Sequence, residues 1–185
     1  MCTQPTSTTT IDIIKDVIVP VFTVITSIVA IVFTYIGLRI QRKHNFKTLK
    51  PIGKIRSFDY ESNISLRIDN YGTGPLIIKA VYLNGNDINE DGIIDYIPDE
   101  FADSLIWKNF TGSYPGRAIP PNENLELLAW SPTTYKKKNK DKIESDKKRL
   151  REILKDMTIK VEYHGIYENE TFTDEMELSW YARNL

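Results

Sequence analysis

The strongest constraint on this chain is a run of 22 residues, Val17–Leu38, that contains no charged side chain. Val, Ile and Phe dominate it. As a helix it reaches about 33 Å, enough to cross a hydrocarbon core of about 30 Å. The run therefore predicts a transmembrane helix over 17–38. A cleaved signal peptide is the rival reading, but that would have a shorter apolar core, basic residues ahead of it and a small-residue cleavage site behind it. Here Asp12, Lys15 and Asp16 precede the run. Arg39, Arg42, Lys43, Lys47, Lys50, Lys54 and Arg56 follow it before the next acid, Asp59. Pro20 falls in the first helical turn, where a missing N–H costs little.

Lys and Arg accumulate on the cytoplasmic side of a span. The sequence thus predicts a short extracytoplasmic N-terminus (1–16), a span (17–38), a basic juxtamembrane helix or linker (39–50) and a cytoplasmic domain (51–185). Arg39, Arg42, Lys43, Lys47 and Lys50 are candidate contacts for anionic lipid headgroups, each worth about 1 kcal/mol near that surface. The plainer reading of the same block is a topology signal alone. Within the span, Thr23, Ser27, Ala30, Thr34 and Gly37 are spaced 4, 3, 4 and 3. That spacing puts small or hydroxyl residues on one face, a candidate self-association seam. Against it stands the tolerance of Ser and Thr in spans through bonding back to their own helix.

Beyond Pro51 the pattern changes. Ile52–Asp59 reads as a strand, and Asn63–Asp69 alternates, with Ile64, Leu66 and Ile68 on one face. Asn70-Tyr71-Gly72-Thr73-Gly74-Pro75 is a turn. Leu76–Leu83 is an apolar strand ending at the hairpin signal Asn84-Gly85. Leu125–Trp130 follows, and Met157–Tyr167 with Thr171–Trp180 form a closing pair. The expected architecture is a single N-terminal transmembrane helix plus a mainly β domain. That domain reads as an immunoglobulin-like antiparallel β-sandwich with two insertions, 86–118 and 134–156. The second contains a helix whose apolar stripe is Ile143, Leu150, Ile153, Leu154 and Met157.

Catalytic signatures are scarce. One cysteine, Cys2, excludes an intramolecular disulfide framework and a cysteine zinc cage. No phosphate-binding glycine loop, zinc-protease pair or nucleophile elbow is present. A serine triad would have to use His164, which reads as a structural or surface histidine. Asp87-x-Asn89-x-Asp91-Gly92-x-x-Asp95 matches the early positions of a calcium loop, so Asp87, Asn89, Asp91 and Asp95 are candidate metal ligands. The twelfth position, where a bidentate Glu belongs, is Pro98, and a solvated turn explains the same residues. No other cofactor is indicated.

Charge falls in blocks of one sign. Lys136–Lys155 carries ten basic and four acidic residues, whereas Asp87–Asp103 carries seven acids and no base. The basic block suits a solvated helix face first, membrane-surface contact second and nucleic acid last, since no interleaved aromatic groove accompanies it. Three sequons, at Asn63, Asn109 and Asn169, matter only for an outward-facing domain.

The turn Asn70–Pro75, with Pro120-Pro121-Asn122-Glu123 before a Leu-rich strand, resembles a recurrent bacterial pattern. It is similar to small single-pass membrane proteins of uncharacterised function whose cytoplasmic part is an immunoglobulin-like β-sandwich. The resemblance covers the organisation of most of the chain and is specific at six to ten residues. The lysine-rich insertion departs from it. It implies a bacterial inner membrane and carries over no catalytic residue. The expected function is a non-enzymatic sensing or recruitment module, acting as a self-associating membrane effector in defence or stress. Its expected partners are the membrane and further copies of itself or a larger membrane protein. Alternatives are an accessory subunit of a transport or envelope-assembly complex, and an enzyme or calcium-binding module built on 87–103.

Overall fold

A computed structural model describes residues 15, 18–61, 63–102, 105, 107–132, 140–167 and 170–185. Cys2, Asp12, Asp16, Val17, Lys136, Lys137, Lys138 and the sequon asparagine Asn169 lie outside them. The chain divides into two compact units, with the boundary between Lys47 and Thr48.

The first unit is helix α1, Val19–Thr48, of 30 residues. It is long and apolar enough to cross a membrane, and none of its residues is buried. As far as Leu38 it carries no charged residue on any side and so lacks the charged face that a surface helix of a soluble domain would carry; its basic residues are confined to the last three turns.

The second unit is built from two antiparallel sheets around one core. Strands β1 (Gly53–Tyr60), β2 (Asn63–Asn70), β3 (Leu76–Leu83), β4 (Asn86–Asp87), β5 (Trp107–Phe110), β6 (Ala118–Ile119), β7 (Asn124–Trp130), β8 (Thr158–His164) and β9 (Thr171–Glu177) follow in chain order. One sheet runs β1-β2-β7-β5; the other runs β4-β3-β8-β9, with β6 paired to β3. Leu66, Ile78, Leu128 and Val161, drawn from both sheets, are fully or almost fully buried in a single apolar cluster. In β8 the burial alternates strictly, Ile159, Val161 and Tyr163 facing inward, as the pleat demands.

Local chemistry explains the turns and edges. Asn84 and Gly85 both take positive φ, 51° and 82°, the requirement of the two-residue turn whose twist matches the strands it joins. At one corner the edge strands of the two sheets meet: Asp174 of β9 accepts the backbone N–H of Ile55 at 2.8 Å and pairs with Lys54 Nζ at 2.7 Å. A carboxylate placed there occupies an edge donor that would otherwise invite another chain.

The structure corrects two sequence expectations. The closing strand stops at Glu177, and Leu178–Asn184 turns into a 3-10 stretch that buries Leu178 and Tyr181. Segment 86–118 is only partly an insertion, because its residues Trp107–Phe110 form β5 and pair with β7. That strand is too short and too exposed to show alternation. The acidic character of the segment also hides its anchors: Ile88, Ile93, Ile97, Phe101, Leu105 and Tyr114 are all core residues. Between them lie a 3-10 turn, Ile93–Tyr96, and a single-turn helix α2, Asp99–Ala102. In the other insertion, helix α3 (Lys140–Leu154) buries Leu150 and Leu154, with Ile143 and Ile153 partly buried against the core. Met157 follows the helix and is buried as well.

Candidate functional site

The candidate seam on α1 is exposed throughout. Its hydroxyls are turned onto their own backbone: Thr23 donates to Val19 O at 2.8 Å, Ser27 to Thr23 O at 2.7 Å and Thr34 to Ala30 O at 2.8 Å. Each donor is thus satisfied within the helix. Gly37 has open space where a Cβ would stand.

The basic block is not one functional unit. Arg39, Arg42, Lys43 and Lys47 are exposed on α1, and the Arg39 guanidinium lies over the Tyr35 ring at 5.0 Å. Lys50, Lys54 and Arg56 belong instead to the β unit. Lys50 Nζ sits over Phe172 at 4.6 Å, and Lys54 pairs with Asp174.

Three of the four candidate calcium ligands use their side chains in local backbone contacts, and Asp91 enters the turn through its backbone N–H to Ile88 O at 3.1 Å. Both Asp87 carboxylate oxygens accept from Asn89, from its backbone N at 2.8 Å and its side-chain N at 2.9 Å. Asn89 Oδ1 accepts from Val81 N at 2.9 Å, and Asp95 Oδ2 from Gly92 N at 2.6 Å. Among the described residues, no three His, Cys, Asp or Glu side chains gather as a metal group would require. Tyr114 closes the segment, its hydroxyl accepting from Ile93 N at 3.2 Å. Burial pushes its phenol up to about 12. His164 ends β8 with Nδ1 2.8 Å from the Gly165 carbonyl oxygen.

The motif Asn70–Pro75 has a physical role. Asn70 is buried, and its side chain makes five hydrogen bonds. Oδ1 accepts from Ile52 N at 3.3 Å and Gly72 N at 2.9 Å; Nδ2 donates to Gly74 O at 2.9 Å, Ile119 O at 3.0 Å and Pro120 O at 3.3 Å. One amide therefore holds together the segment entering β1, the glycine turn and the proline turn before β7. A Cβ on Gly72 or Gly74 would collide with backbone of Leu49 through Ile52. Both glycines are present because two chain segments touch there.

Beside this hub a cavity of about 290 Å³ opens to solvent. Arg56, Arg67, Asp69, Asn70 and Tyr71 line it together with Asn122, Glu123 and Asn124, which the β2–β7 pairing sets beside Asp69 and Asn70. The β1–β2 register puts Arg56 directly opposite Arg67, and like charges opposed in this way destabilise a sheet. Local groups offset the repulsion. Asp69 lies 2.7 Å from Arg67 Nε and 3.6 Å from Arg56 Nη1. Tyr71 O–H donates to Asp69 at 3.0 Å and accepts from Arg56 at 2.8 Å. Both guanidiniums stack on Phe58, at 5.0 and 4.3 Å. Sequence reasoning counted Arg56 with the topology signal and did not single out Arg67. Only the hairpin register brings them together.

A second cluster was also missed. Asp59, at the far end of β1, is buried and accepts from Arg151 Nε and Nη2, both at 3.0 Å, and from Asn184 Nδ2 at 2.8 Å. Lys147 Nζ is 3.7 Å away. Burial alone would push the Asp59 carboxyl up; Arg151, Asn184 and Lys147 outweigh it and hold the carboxyl below its ordinary value. Two cations of the lysine-rich helix thus serve the fold.

No protein-family model matches this chain, and no curated protein matches it. The site must be judged on its own chemistry. Its groups are fixed charges, amides and a phenol, an arrangement suited to holding a polar molecule by ion pairs and hydrogen bonds.

Proposed function

We propose that this chain is a single-pass membrane protein whose β domain recognises a ligand or partner at the cytoplasmic face of a bacterial inner membrane, without catalysis. One observation carries the reading: α1 has the length and composition of a span and buries nothing. Water would meet every apolar side chain of such a helix, which makes lipid its natural solvent. The excess of Lys and Arg after Leu38 supports an N-out, C-in orientation. The strand orders β1-β2-β7-β5 and β4-β3-β8-β9 support an immunoglobulin-like sandwich, whose two sheets run A-B-E-D and C-F-G. The bacterial setting follows the resemblance at Asn70–Pro75. Self-association of the span, as in a membrane effector, would draw on close packing at Ala30 and Gly37, since the hydroxyl donors are already engaged.

A reporter fused after Leu185 tests the orientation. Activity from a cytoplasmic reporter is expected; activity only from a periplasmic one would overturn it. The mass of the complex extracted gently from membranes tests the assembly. A homo-oligomer supports an effector, and a single copy bound to a larger membrane protein makes the chain an accessory subunit.

A further inference from the structure

We infer that the cavity beside Asn70 binds a small zwitterion carrying a phosphate ester and an amine, of the size of phosphoethanolamine. The inference deepens the reading of the β domain as a recognition module and is independent of the span. Its starting point is the opposed pair Arg56 and Arg67, two guanidiniums held side by side at the cavity by Asp69, Tyr71 and Phe58.

The pair is only partly neutralised. Asp69 occupies the Nε and Nη2 side of Arg67 and lies 3.6 Å from Arg56 Nη1, which donates to Tyr71, leaving Nη1 of Arg67 and Nε and Nη2 of Arg56. Each guanidinium has five N–H donors in a rigid fork, so donors on both remain for a ligand. Phe58 stacks under both and holds the forks in place. Two forks on neighbouring strands need an anion with more than two oxygens to bridge them. A phosphate ester offers three strong acceptors, whereas a carboxylate suits a single fork.

The second half of the ligand comes from the turn before β7, which also lines the cavity. Glu123 lines the cavity and is exposed; it forms no side-chain hydrogen bond or ion pair among the described residues. With Asp69 it balances the two arginines, so the cavity as a whole has no net charge. A bare anion gains contacts there but no net field. A ligand carrying both signs matches both charges of the lining: its phosphate lies on Arg56 and Arg67, and its ammonium reaches Glu123 beside Asn122 and Asn124. The cavity volume of about 290 Å³ lies at the small end of ligand sites and admits a headgroup-sized molecule. Phosphoethanolamine occurs free and as a lipid headgroup; the two share the phosphate and the ammonium, but the headgroup is a diester with only two non-bridging oxygens, so the three-acceptor fit favours the free monoester.

The test uses the full chain in nanodiscs of phosphatidylcholine, with or without phosphatidylethanolamine, titrated with O-phosphoethanolamine and separately with inorganic phosphate. Saturable binding of O-phosphoethanolamine is expected, about tenfold tighter than phosphate. Arg56→Gln should weaken both probes by about tenfold or more. Glu123→Gln should remove the preference for O-phosphoethanolamine and leave phosphate binding in place. The Arg56 side chain is 47% exposed and Glu123 is exposed in a turn, so the fold survives both substitutions. Weaker binding of the soluble probe in phosphatidylethanolamine discs identifies the lipid headgroup as the source; equal binding identifies the free ester. No saturable binding, binding unchanged by Arg56→Gln, or equal affinity for the two probes would each overturn the inference. The reporter fused after Leu185 reads the span separately, so failure here leaves the membrane reading standing.

Discussion

Removing the Asp59 carboxylate should be the most damaging single change at the surface of α3. Asp59→Ala deletes two charge-assisted hydrogen bonds from Arg151 at 3.0 Å and one from Asn184 at 2.8 Å. It also leaves Lys147 without its anion and Arg151 with only the exposed Glu144, 3.6 Å away, although both cations are 6% exposed. Orphaning one side of a buried ion pair costs about 3–5 kcal/mol. With a urea slope of about 2 kcal/mol per molar, the unfolding midpoint should fall by about 2 M. The assay is urea unfolding of the full chain in detergent, followed by the fluorescence of Trp130 and Trp180. Replacing Asp59, Lys147 and Arg151 together by apolar residues should recover most of the loss, because the desolvation cost goes with the charges. The pH dependence has a fixed sign. Since the folded carboxyl is held below the unfolded value of 3.8, the stabilisation is complete above that value. It is lost as pH falls through the folded value, and Asp59→Ala should abolish that part of the acid sensitivity. A midpoint shift under about 0.5 M, or an unaltered acid transition, would refute the claim that this cluster fastens α3 and the C-terminal turn to β1.

Three further outcomes follow from the geometry. Gly74→Ala should destabilise the β unit by about 1–3 kcal/mol through collision with the Leu49 backbone. Gly85→Ala, which meets nothing but sits at φ 82°, should cost about 1–2 kcal/mol; thermal melts rank the two, and a neutral Gly74→Ala refutes the close approach. Asp174→Ala should cost about 1–2 kcal/mol and raise the tendency to associate through β1 and β9, read by light scattering; unchanged scattering removes its edge-guarding role. In the span, Ser27→Leu with Gly37→Leu should dissociate any homo-oligomer, and an unchanged complex mass in detergent sinks the seam.

What the sequence disclosed and what it hid divide along the range of the interaction. The span, the alternating strands and the Asn84-Gly85 turn are local: each depends on residues within one helix or hairpin, and period or turn chemistry is enough to recognise them. The hidden features are contacts across sequence. Asp59 and Arg151 stand 92 residues apart, and nothing near either announces the other. A lysine-rich helix reads as a solvated face until Lys147 and Arg151 are found turned inward. The Asn70 motif is intermediate. Its glycines mark a turn, but their necessity comes from the Leu49–Ile52 backbone lying against them. The same amide's bonds to Ile119 and Pro120 explain why the glycine turn and the distant proline turn belong together. Arg56 shows why composition misleads at a site. Counted along the chain, it is the last cation of a topology signal. Placed by the β1–β2 register, it faces Arg67 over Phe58 in the lining of a cavity, with Asp69 and Tyr71 holding both guanidiniums there.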